Sequence, residues 1–187
     1  MKKHGYWTLA ALALAFVAAC TGGRNKQGNG AETDSLATAN MVEDTTEYGT
    51  CGEGTAMHTL ELLTGKGDTL VFNYDVDGSV VSDIQGGLEV GDSLAVIDTQ
   101  TSDGRTVVRA INLTTLLGKW TSLERNLEFL KNGRLISTLK EPHTYTHWTI
   151  CNGHLVLSAD TFDIENLGPD SLSLKNRQGI WKLKRQR

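Results

Sequence analysis

The residues best suited to chemistry are Cys151 and His154, which flank an Asn152-Gly153 pair. Asn-Gly is the strongest short signal for a type I′ hairpin turn, because both central positions of that turn need positive φ. Such a turn sets Cys151 opposite His154, and a histidine beside a cysteine can turn it into a nucleophile. No third group to orient the imidazole is apparent, and a hairpin tip is open to water. Glu141-Pro142-His143-Thr144-Tyr145-Thr146-His147-Trp148 is the one histidine-rich stretch. On a helix, His143 and His147 would share a face and could hold zinc. Pro142, Thr144 and Thr146 argue for a strand, where four residues separate side chains by about 13 Å, too far for one ion. Asp75, Asp77 and Gly78 suggest the start of a calcium loop, but the later ligands such a loop needs are missing. G-x-S-x-G, H-E-x-x-H, phosphate-loop and G-x-G-x-x-G patterns do not occur. The expectation is no catalytic residue, no metal and no cofactor.

The elements around these residues are strands. Pairing outward from Asn152-Gly153 sets Ile150 against Leu155, Thr149 against Val156 and Trp148 against Leu157. Trp148, Ile150, Leu155 and Leu157 then share one buried face, while His143, Tyr145, His147 and Cys151 share the solvated one. Asn132-Gly133 marks a second hairpin. Strand signals fall near 119–124, 126–131, 134–139, 145–151, 154–159, 161–167, 170–175 and 178–185. Eight strands can form an up-and-down barrel with room for one small ligand.

Gly118-Lys119-Trp120 at the start of this set and Arg185 at its end resemble the lipocalin pattern. The resemblance covers roughly residues 114–187 and looks most like the compact lipocalin-like lipoproteins of gut Bacteroidetes. It implies that Trp120 closes one end of the barrel and packs against Arg185 or Lys184. It also implies a small apolar or amphipathic ligand between Trp120, Phe129 and Trp148. The span from Gly118 to Arg185 is 68 residues. Strands of about six residues reach only about 20 Å, so the cavity should be small or filled. The T-D-Y block and the mid-barrel arginine of lipocalins are absent.

Upstream, residues 54–113 carry a second set of β-signals. Met57 to Leu63 and Thr69 to Tyr74 flank Gly65-Lys66-Gly67-Asp68, and Ser79 to Ile84, Ser93 to Asp98 and Arg105 to Asn112 follow. Five short strands suit a small OB- or SH3-like barrel. Gly87-Leu88-Glu89-Val90-Gly91-Asp92 is similar to a turn common in such barrels. Phe72 and Tyr74 are its only large aromatics and its surroundings are acidic, which disfavours nucleic acid.

The N-terminus organises the rest. Lys2 and Lys3 precede an apolar run from Trp7 to Val17, too short to span a bilayer as a stop-transfer helix and laid out as a secretory signal. Val17-Ala18-Ala19-Cys20 resembles the bacterial lipobox, which implies cleavage after residue 19 and lipid on Cys20. Each buried methylene adds about 0.8 kcal/mol, so multiple acyl chains make a stable anchor. Removing Lys2 and Lys3 from 18 basic residues leaves 16 against 22 acidic ones, a net charge of −6. The stretch after Cys20 is neutral to basic, whereas surface-exposed Bacteroidetes-like lipoproteins tend to be acidic there. A periplasm-facing position on the outer membrane is expected.

Residues 20–53 are polar and aperiodic, a tether spanning roughly 30 Å root-mean-square. Within it, Asp34-Ser35-Leu36 resembles the Bacteroidetes O-glycosylation site, which implicates Ser35. Cys51 and Cys151 remain after processing; an oxidising space would allow a disulfide between them, and two thiols are the alternative. The organisation expected is a signal peptide over 1–19, a tether over 20–53, a small OB/SH3-like barrel over 54–113 and a lipocalin-like barrel over 114–187. The chain reads as an all-β, membrane-anchored envelope lipoprotein without enzymatic activity. Its partners would be a small hydrophobic ligand or, alternatively, another envelope protein.

Overall fold

A computed structural model describes residues 43–74, 81–139 and 144–187. Cys20, Ser35, the signal peptide, most of the tether, Asp75, Asp77, Gly78 and His143 lie outside the described residues.

The first barrel closes on five strands: β1 (Glu47–Cys51), β2 (Thr59–Thr64), β3 (Thr69–Asn73), β5 (Ser93–Thr101) and β6 (Gly104–Asn112). β1 joins β2 and β5, β5 joins β6, and a parallel contact between Asn73 and Thr106 joins β3 to β6. Short β4 (Asp83–Gln85) runs parallel to β6 along the same edge that meets β3. The core follows period-two alternation. Leu60 and Leu62 on β2 face Phe72 on β3, with Leu94, Val96, Val107, Ala110 and Cys51 completing a cluster nearly without solvent exposure.

The sequence expectation misses β1, whose five residues belong to the sheet rather than to the tether over 20–53. Glu47-Tyr48-Gly49-Thr50-Cys51 has no apolar alternation because its environment is tertiary. Gly49 is tight against the Leu63 carbonyl, where a Cβ would come within 2.6 Å. The Gly87–Asp92 turn is held by Asn112, a fully buried polar residue whose Nδ2 donates to the Gly87 carbonyl at 3.1 Å and to Asp92 Oδ2 at 2.7 Å. The same side chain accepts from Thr115 N at 2.8 Å and so caps the one-turn helix α1 (Leu113–Leu116).

The second barrel is an up-and-down meander of eight strands: β7 (Gly118–Thr121), β8 (Arg125–Phe129), β9 (Leu135–Leu139), β10 (Trp148–Cys151), β11 (His154–Leu157), β12 (Asp160–Leu167), β13 (Ser171–Asn176) and β14 (Gly179–Gln186). All eight overlap the sequence signals, though β10 begins at Trp148 rather than at residue 145. β14 returns to β7 through the Arg185–Trp120 pair. Between β9 and β10 the ladder reduces to one bridge, Arg134–His147. There the Ser137 hydroxyl accepts from Tyr145 N at 2.9 Å and donates to Tyr145 O at 2.8 Å, standing in for a ladder step.

The Asn152-Gly153 turn has φ of 48° and 76°, and all four inferred pairs occur in the register. Asn132-Gly133 makes a different turn, with positive φ at Gly133 alone of the two. Bonds from Gly133 N to Leu130 O and from Leu130 N to Arg134 O define a three-residue loop with glycine in the left-handed position. Tyr145 corrects the expected outer face: it is 4% exposed and points inward. The strand begins only at Trp148, so the alternation does not extend back to Tyr145.

Candidate functional site

Trp120, Phe129 and Trp148 were expected to bound a ligand cavity. Trp120 and Phe129 are buried at 0% and 1% exposure and Trp148 is half-buried. They belong to one apolar cluster fed by every strand of the second barrel and by Leu116 of α1. Phe129 and Trp148 meet edge-on at 5.7 Å between ring centres, and the Trp148 indole N–H donates to Leu130 O at 2.9 Å. These contacts make the three residues core.

Both ends of this core are closed by a tryptophan under a guanidinium. At the α1 end, the Arg185 guanidinium carbon lies 4.1 Å above the Trp120 ring, and Trp120 Nε1 donates to Leu116 O at 2.8 Å. Arg185 also donates to the carbonyls of Leu117, at 2.8 Å, and Thr115, groups that the short helix leaves without partners. The pair expected from the sequence is therefore in contact, with Arg185 rather than Lys184 as the partner. Burial pushes the Arg185 guanidinium down from its ordinary value, and Asp170 opposes that shift.

Four residues away on β14, about 13 Å along the strand, Trp181 lies under Arg125 at 4.4 Å. Phe162 and Tyr145 pack tilted against Trp181 with ring centres 4.6 and 6.0 Å away, and the Tyr145 hydroxyl donates to Asp160 at 2.6 Å. Sequence reasoning missed this second closure, because Arg125 opens β8 and no motif names it. Outside it, Leu123, Ile180, Lys182 and Lys184 border an open groove of about 670 Å³.

The outer face carries a second arrangement. His154 pairs with Cys151 in register, and His154 Nδ1 lies 2.6 Å from Asp163 Oδ1 on β12. Asp163 is thus the orienting group that the sequence did not reveal; continuing the register across the next turn, Ser158-Ala159, brings it beside His154. Ser158 holds a positive φ of 53°, and no glycine or asparagine marks that turn. Asp163 in turn faces Lys175, which is paired with Glu165 at 3.0 Å. Neither Cys51 nor Cys151 is in a disulfide. Cys51 lies in the first barrel's core against the Thr55 hydroxyl at 3.4 Å, whereas Cys151 sits at the hairpin tip and accepts from Asn152 Nδ2 at 3.9 Å.

That tip is also where the two barrels meet. Arg109 of β6 ion-pairs with Asp83 at 2.7 Å and donates to the carbonyls of Gly153 and Ile164 at 2.9 and 3.3 Å. Asn152 receives the chain entering β1: its N–H donates to Asp44 and Thr46, and its side-chain oxygen accepts from Thr45 N at 2.9 Å. Burial would raise the Asp44 carboxyl, but bonds from Thr46 and Asn152 outweigh it and hold the group below its ordinary value. The Tyr48 hydroxyl donates to Ile150 O at 2.5 Å, and burial, reinforced by Asp44, pushes it up to about 12.

Among the described residues no cluster of three or more His, Cys, Asp or Glu side chains could hold a metal ion. On the first barrel, the outer faces of β2 and β3 expose Leu63 and Val71 and no aromatic platform for bases. No family model, no curated protein and no solved structure matches the chain.

Proposed function

We propose that the chain is a non-catalytic module of the bacterial cell envelope, anchored by lipid at Cys20, that works through the outer surfaces of its two barrels. One observation carries the choice between this and a ligand carrier. The interior side chains of the eight-stranded barrel pack on one another, with an arginine over a tryptophan at each end. A carrier of one small apolar molecule needs concave space bounded by side chains that do not already touch, whereas Phe129 and Trp148 meet each other. The compact length of the barrel, the Val17-Ala18-Ala19-Cys20 pattern and the polar stretch that follows support the same reading. The chain resembles a lipocalin-like lipoprotein in its Gly118-Lys119-Trp120 start and late Arg185, and in this reading it keeps the architecture without the cargo.

Native mass spectrometry of the protein extracted from its own host tests the proposal. The expected result is the mass of the acylated chain, alone or with a protein partner. A stoichiometric small molecule whose removal changes Trp148 fluorescence would overturn it in favour of a carrier.

A further inference from the structure

We propose that Cys151 is a primed thiol on the outer face of the second barrel, deprotonated by His154 under the orientation of Asp163, and that it forms mixed disulfides with external disulfide-bearing molecules. Cys151 and His154 flank a two-residue turn and pair directly, which sets their Cβ atoms about 5 Å apart on one face. The His154 ring is held from its far side, where Nδ1 meets Asp163 Oδ1 at 2.6 Å. A proton fixed on Nδ1 by that carboxylate leaves Nε2 as the basic nitrogen, the tautomer a general base needs. The sulfur also takes an N–H from Asn152 Nδ2, and hydrogen bonds to the charged form favour it.

Among the described residues, several charged groups lie near the thiol. Lys175 faces Asp163 in the register and is itself paired with Glu165 at 3.0 Å. Arg109 approaches the turn through the Gly153 carbonyl, and its charge is offset by the ion pair with Asp83 at 2.7 Å. Asp44 and Tyr48 lie on the entering chain; Asp44 opposes the thiolate, while Tyr48 stays neutral near pH 7 because its hydroxyl is pushed up to about 12. Cys51, buried at 1% exposure, has no histidine paired with it and serves as an internal reference.

The step balances as an exchange. The Cys151 proton moves to His154 Nε2, and the thiolate attacks one sulfur of the incoming disulfide. A new sulfur–sulfur bond forms as the old one breaks. The departing thiolate carries the electron pair and takes the proton back from His154. No outside oxidant is consumed, since the incoming disulfide is reduced as Cys151 is oxidised. Cys51 is sequestered and cannot resolve the product, so the mixed disulfide persists until another thiol attacks it.

The test uses detergent-solubilised full-length protein with oxidised glutathione as the disulfide probe and iodoacetamide as the alkylating probe, each site being read by peptide mapping. An ordinary cysteine, with a pKa near 8.5, is only a few per cent thiolate at pH 7. A primed Cys151 should therefore alkylate about tenfold faster than free glutathione at pH 7, with its half-rate pH below the ordinary cysteine value, while Cys51 stays unlabelled. His154→Gln and Asp163→Asn replace half-exposed side chains and leave the core intact. Each should move the pH profile upward and slow glutathione adduct formation at pH 7 by about tenfold. A Cys151 profile indistinguishable from free glutathione, or one unmoved by either substitution, would overturn the proposal.

Discussion

Removing Trp120 and Arg185 singly and together measures whether the barrel is closed as its geometry implies. Trp120 is fully buried, and a large aromatic buries roughly 150–250 Å². At about 25 cal/mol per Å² that amounts to some 4–6 kcal/mol, an upper bound because the unfolded chain is already partly collapsed. Truncations of this kind cost about 3–5 kcal/mol, and losing the Nε1 bond to Leu116 O adds roughly 1 kcal/mol. Trp120→Ala should therefore cost about 4–6 kcal/mol. Arg185→Ala removes the stack and the bonds to the carbonyls of Leu117 and Thr115, and should cost about 2 kcal/mol, since much of the guanidinium's solvation returns on unfolding. Both single losses include the stack, so the double mutant should fall about 1 kcal/mol short of their sum.

The assay is urea denaturation followed by far-ultraviolet circular dichroism, because Trp120 contributes to the fluorescence. A domain's whole stability is about 5–15 kcal/mol. If Trp120→Ala does not fold, Trp120→Leu removes the ring under Arg185 while keeping apolar volume, and supplies the cycle instead. Strict additivity, or a Trp120→Ala midpoint equal to wild type, would refute the idea that these two side chains close the barrel.

The remaining expectations concern the anchor and the entering chain. Cys20→Ala should release the protein from membranes or leave an uncleaved precursor; equal incorporation of radiolabelled fatty acid into both forms would exclude the anchor. The Asp44 carboxyl is held below its ordinary value of 3.8 in the folded state. Its contribution is therefore complete above that value and lost as pH falls through the lower folded one. Amide exchange at Asn152, which donates to Asp44, should accelerate over that acid window, and Asp44→Asn should abolish the dependence. The Tyr48 hydroxyl is raised from 10.0 to about 12, so its contribution is complete below pH 10.0 and lost as pH rises toward 12. In Tyr48→Phe that alkaline loss of stability should be smaller, as read from denaturation midpoints across the range.

Local signals carried the second barrel. Asn152-Gly153 dictates positive φ at two successive residues, and from that turn the register of four residue pairs follows by counting. Alternation then sorted Ile150, Leu155 and Leu157 inward without reference to anything distant. Where the outcome depended on chain far away in sequence, the same counting failed. Glu47–Cys51 lacks apolar alternation because Tyr48 is placed by Ile150 of the other barrel, and Cys51 by the core beneath β2. Tyr145 turned inward because Asp160, fifteen residues on, satisfies its hydroxyl beside Phe162 and Trp181.

The Cys151–His154 row shows the same divide within three residues. Its first pair is fixed by a turn that glycine and asparagine announce. Its second contact depends on a turn at Ser158-Ala159 that carries no such marker, held open by Ser158 at positive φ and by the Ser158 N–H donating to His147 O. Serine gains little intrinsically in that conformation, so the turn is set by the strands on either side. Leu155 against Phe162 and Leu157 against Asp160 fix the register of β11 on β12, and that register brings Asp163 to His154. The chemistry at the surface is therefore positioned by packing on the opposite face of the same strands. Substitution of Leu155 or Phe162 should disturb the His154–Asp163 contact even though neither side chain touches it.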